Sequence, residues 1–136
     1  MARQGKRRSI ERTRYHDYRT VAQHFHEAAE SSRAMEYWTA AGVLIVHSAI
    51  ALADALCIRS SGMRSAGVDH DDAVALLEAA VHDGEEKRRA LIQFRRIIEE
   101  KSRVSYLGEL YGPREVHEMW RRLTRFREWA IEILDA

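Results

Sequence analysis

The stretch from Ala40 to Ile58, AAGVLIVHSAIALADALCI, constrains the fold more than any other in this chain. It is apolar around nearly its whole circumference, which suits either the central helix of a bundle or a membrane span. His47 and Asp54 interrupt it. An Asp in the middle of a spanning helix costs about 2.5–3.5 kcal/mol on insertion scales, and the flanks do not extend the apolar run cleanly. The abundant Ala, Ser and Gly suit close helix contact, so we expect the core helix of a bundle and no membrane. His47 and Asp54 stand seven residues apart, within about 20° of each other around a helix. They form one polar stripe, expected to be buried and hydrogen-bonded to neighbours or to a later helix.

With 136 residues, 46% of them apolar and 32% charged, the chain has room for a single globular domain. One proline and few β-branched runs favour an all-α fold. The one cysteine, Cys57, falls inside the apolar stretch; it has no partner for an internal disulfide, fits a reducing cytoplasm, and reads as a small core residue. No apolar segment follows the basic N-terminus as a secretion signal would require. Charge is unevenly placed. Residues 1–14 hold six basic residues and one acid, Glu11, for +5, leaving −4 on the rest. The expectation is a basic, flexible arm over 1–13, either a solvated end or a nucleic-acid contact, ahead of one helical domain over 14–136.

Five helical segments can be read. Tyr15, Tyr18, Ala22, Phe25 and Ala29 lay an apolar stripe on a first helix from about Ile10 to Ser31. The core helix runs from about Arg33 to Ser60 and ends in SSGMRSAG, whose Gly62 and Gly67 mark a flexible connection. Asp69, as N-cap with Asp72 behind it, opens a short third helix to about His82. Asp83 and Glu86 resemble a capping box for a fourth, whose buried side is Leu91, Phe94, Ile98 and Tyr106. Pro113 starts the last helix, with Val116, Met119, Trp120, Leu123, Phe126, Ala130 and Ile133 on one face.

Chemistry is sparser. None of the seven histidines follows an acid by three residues, as a di-iron bundle requires, and His24 and His26 point about 200° apart; no metal and no cofactor is expected. A buried Cys57 would disfavour its thiolate. The segment Lys101-Ser102-Arg103-Val104-Ser105-Tyr106 puts polar residues into an apolar stripe. Ser102 and Tyr106 share a helix face, whereas Lys101 and Tyr106 converge only if the helix ends or distorts there.

The order of these features resembles the HEPN domains (higher eukaryotes and prokaryotes nucleotide-binding). The resemblance covers about residues 15 to 135. It rests on HEAAES closing the first helix, Tyr37-x-x-Ala40 leading into HSAIALADAL, then His70-Asp-Asp-Ala-Val-x-Leu-Leu, a fourth helix ending in polar residues and a tyrosine, and the closing RFREWAIEIL. It implies an up-and-down bundle of four to five helices and a homodimer. In the ribonucleases of that family the fourth helix carries an Arg, usually a polar residue next, and a His four to six positions on. Here Lys101 takes the Arg position, Ser102 the polar one, and Tyr106 that of the His, or of the tyrosine in the Asp-Tyr form of the motif. These three are the catalytic candidates.

Lysine lacks the planar fork with which Arg grips phosphate, and a tyrosine near pKa 10 is a weak acid–base at neutral pH. The expectation is therefore a non-catalytic cytoplasmic module binding RNA, a nucleotide or a partner protein such as a nucleotidyltransferase, with Lys101 and Arg103 meeting phosphate. A weak metal-independent endoribonuclease of the toxin–antitoxin type and a purely structural dimer are the alternatives. The dimer has a second argument in the apolar surface of the core helix and of Trp120, Phe126 and Trp129.

Overall fold

The computed structural model describes residues 7–65, 70–101, 103 and 110–136. Five α-helices are described: α1 Tyr15–Ala34, α2 Trp38–Ser61, α3 His70–Ala80, α4 Glu85–Glu99 and α5 Pro113–Asp135. They form an all-α helical bundle around α2, which packs on α1, α3, α4 and α5. Helix α2 is buried over most of its circumference, with Ala41, Ile45, Val46, Ala49, Ala55 and Ile58 entirely out of water and a stripe of Val43, His47, Ile50 and Asp54 half-buried. Small residues allow this. Ala22 and Ala29 of α1 are buried against it, and the buried Ser48 hydroxyl donates to the Ala22 carbonyl at 2.9 Å, satisfying itself within the core.

By length and composition α2 is apolar enough to cross a membrane (mean hydropathy 2.0), which differs from the reading of its flanks. Yet 72% of its most apolar window is buried inside the bundle, as in a central core helix. Helix α5 turns Val116, Leu123, Phe126 and Ala130 fully inward, and Phe126 stacks on Phe94 of α4 with centroids 5.1 Å apart. Phe126 is thus spent on the core. Trp120 lies under the Arg33 guanidinium, 4.4 Å from the ring centroid, and against His26. The aromatic face counted above as surplus apolar surface is therefore largely covered within one chain.

The basic N-terminal segment departs most from expectation. Arg7–Ser9 form a strand, β1, antiparallel to β2, Met63–Ser65, with Arg8 opposite Arg64. A 3₁₀ turn over Arg12–Arg14 then leads into α1. Arg7 reaches Asp72 at 3.1 Å, and the Ile10 amide donates to the Gly62 carbonyl at 2.7 Å. Residues 7–13, expected in a flexible arm, are docked on the bundle, and α1 begins at Tyr15 rather than near Ile10. Gly62 permits the reversal: it closes α2 at φ 70° in the left-handed region, with Ile10 backbone beside it.

Helix starts also differ in detail. Asp83 does not cap α4; Gly84 is the N-cap, and the Asp83 carboxylate pairs with the buried Lys87 ammonium at 2.9 Å. On α5 the Glu115 carboxylate, at the third helical position, accepts from the Gly112 amide at 2.9 Å ahead of Pro113, the half of a capping box that a glycine N-cap allows. Asp69 and Tyr106 lie outside the described residues.

Candidate functional site

The polar stripe of α2 faces the end of α4. Helix α4 stops at Glu99, Glu100 turns, and Lys101 follows in helical conformation beyond this interruption, so the fourth helix does break at its polar segment. Lys101 shares a small cavity with Asp54, Cys57, Ser65, Phe94 and Ile98, and acts electrostatically on both His47 and Asp54. The seven-residue spacing thus aligns both polar residues of α2 with one cation of the fourth-helix segment.

Their ionisation follows from burial. Asp54 is pushed up to about 7, chiefly by loss of water around its carboxyl, and the Arg64 and Lys101 charges only partly offset this. Among the described residues no hydrogen bond reaches that carboxyl, contrary to the expected hydrogen-bonded stripe. His47 is half-buried near Phe25; burial first, then Lys101, holds its imidazole below the usual histidine range. Burial, reinforced by Asp54, pushes the Cys57 thiol up to about 12. At neutral pH the seam therefore holds a neutral imidazole, a neutral thiol, a carboxyl near its midpoint and the Lys101 ammonium. Lys101 has no carboxylate within ion-pair distance among the described residues.

Arg103 is placed differently. Its guanidinium pairs with Glu100 at 3.1 Å and lies 5.5 Å from the Tyr111 ring centroid, while the Tyr111 hydroxyl also donates to Glu100. The Tyr111 amide donates to Thr39 Oγ1 at 3.1 Å, which ties this lock to the start of α2. Of the two cations expected to meet phosphate, Lys101 thus faces the polar stripe and Arg103 is engaged beside it. Ser102 and Tyr106 lie outside the described residues. Among the described residues no group of three His, Cys, Asp or Glu is arranged to hold a metal ion.

Sequence reasoning missed the contribution of β2. Ser65 lies in the same cavity, Arg64 acts on Asp54, and Arg7 acts on Cys57 from the adjoining strand. No periodicity in RRS or MRS marks them as strands, and their pairing is set by Gly62 and Ile10. Comparison with known protein families, with curated proteins and with solved structures gives no match to this chain.

Proposed function

We propose that this chain is a non-catalytic HEPN-like binding module for RNA, with the seam between α2 and the end of α4 as its phosphate contact. The observation that carries this is Lys101, an ammonium beside a neutral imidazole and a carboxyl only about half ionised at neutral pH, with no carboxylate within ion-pair distance among the described residues. A cation so placed attracts a phosphate as a point charge without the arginine fork. Arg103, two residues further on and held by Glu100, adds positive potential at the rim. Helical pairing in a dimer, as the resemblance implies, would bring two such seams into one surface.

Filter retention of single-stranded RNA across a salt series tests this. Wild type should retain RNA with a steep salt dependence. Lys101→Ala should weaken retention by about tenfold and reduce the log–log salt slope by about one. Equal retention and slope in both proteins would refute the assignment. One observation favours a second reading, a weak metal-independent ribonuclease: an imidazole held neutral can accept a proton at neutral pH. Cleavage by wild type that vanishes in His47→Gln or Tyr106→Phe would establish it instead.

A further inference from the structure

At the other end of α2 from its N-terminus, a cleft of about 670 Å³ opens between the 3₁₀ turn, the α3–α4 connection and the end of α5. Its volume lies within the range of small-molecule sites, about 300–1,000 Å³. Two arginines on its wall are held in an unusual way. Arg12 directs Nε and one terminal nitrogen onto the Arg59 carbonyl at 3.0 and 2.8 Å. Arg59 in turn donates to the Ile133 carbonyl at 2.8 Å and to the Ala136 backbone oxygen at 2.9 Å.

Both guanidiniums are therefore fixed by backbone oxygens, and neither has a side-chain carboxylate partner among the described residues. Fixing an arginine this way keeps its charge and leaves N–H groups free, since a guanidinium has five donors. On the same wall Lys87 is occupied by Asp83 and the Val81 carbonyl, leaving Glu86 as the remaining carboxylate. Among the lining side chains three cations, Arg12, Arg59 and Lys87, face two acids, Asp83 and Glu86. The rest of the lining is Trp129 with Leu56 and Ile133, an aromatic and aliphatic surface beside the charged one.

We propose that this cleft is a binding site for a small phosphomonoester of a flat ring, with the phosphate on Arg12 and Arg59 and the ring against Trp129. Phosphate suits the first part because its oxygens accept paired N–H groups from a rigid guanidinium. A flat ring suits the second, since an indole wall offers area at little entropic cost. The cleft is separate from the Lys101 seam, so the two assignments stand or fall independently.

Calorimetric titration of the full chain with adenosine monophosphate and phenyl phosphate, with adenosine and inorganic phosphate alongside, tests the proposal. Both phosphorylated rings should bind, each at least tenfold tighter than adenosine or inorganic phosphate alone. Arg12→Ala and Arg59→Gln should weaken binding at least tenfold, and Trp129→Ala should weaken the ring esters but not inorganic phosphate. Lys101→Ala should leave all of these affinities unchanged. If Arg59→Gln fails to fold by circular dichroism, Arg12→Ala and the charge-preserving Arg12→Lys decide: the first should lose binding and the second keep part of it. Absence of heat at millimolar ester, adenosine binding as tightly as its monophosphate, or affinity insensitive to Arg12 would each overturn the proposal.

Discussion

Replacing Asp54 with Asn should stabilise the protein increasingly as pH rises. The Asp54 carboxyl has no hydrogen-bond partner among the described residues and titrates near 7 in the fold against 3.8 in the open chain. The folded state therefore binds the proton more tightly than the unfolded state. Stability is fully present below about pH 4, falls as pH rises from there to about 7, and stays reduced above. Each unit of difference corresponds to about 1.36 kcal/mol, so full ionisation costs the fold about 4 kcal/mol. Applied to both titrations, the difference between pH 5 and pH 8 is about 2–3 kcal/mol. Asparagine has nearly the same shape and cannot ionise, so any fixed cost of the amide cancels between the two pH values. Urea unfolding of wild type and Asp54→Asn at pH 5, 6, 7 and 8 measures this directly. The variant's relative stability should rise by about 2–3 kcal/mol over that range. A difference independent of pH would show that the carboxyl is solvated or paired, and the account of the seam would fail. A hydrogen-bonded Asp54 carboxylate, as the sequence suggests, would instead leave its partner unpaired in Asp54→Asn and make the variant less stable at high pH, so one experiment separates the two.

Gly62→Ala should cost about 1–2 kcal/mol in chemical denaturation, because a Cβ there meets Ile10 backbone at 3.2 Å and must adopt φ 70°; an unchanged midpoint would mean that the ribbon and α2 cap do not form as described. Cys57 should react with a disulfide reagent at pH 8 on the order of a thousandfold slower in the folded protein than in urea, since burial takes its thiol from 9.0 to about 12. Comparable rates in the two states would place the thiol at the surface.

The parts of this fold that were legible in the sequence are those governed by local periodicity. The apolar run of α2, the stripe of α5, the break at Gly62 and the helix start at Pro113 each depend on residues within a few positions of one another, and the helices form at those places. The ribbon was not legible. Its strands are three residues each, polar and 56 positions apart at Arg8 and Arg64, so neither alternation nor a turn signature marks them. The same long-range geometry decided the partners of charged residues. Asp83 had the right spacing for a cap, yet the buried Lys87 ammonium needs a carboxylate more than the first turn of α4 does. At the site, the helical repeat aligned His47 with Asp54, but only the packing of α4 against α2 could bring Lys101 to them, and only packing could deprive Asp54 of a partner.

The central claim is that RNA phosphate enters the seam beside Lys101, and the most direct measurement is the titration of His47 by nuclear magnetic resonance with and without single-stranded RNA. Free protein should show His47 titrating below the usual value of 6.5, since burial and Lys101 both disfavour its charged form. A bound phosphate adds negative charge at the same place, so saturating RNA should raise the His47 pKa. A His47 titration identical with and without bound RNA would contradict the assignment of this seam as the phosphate contact.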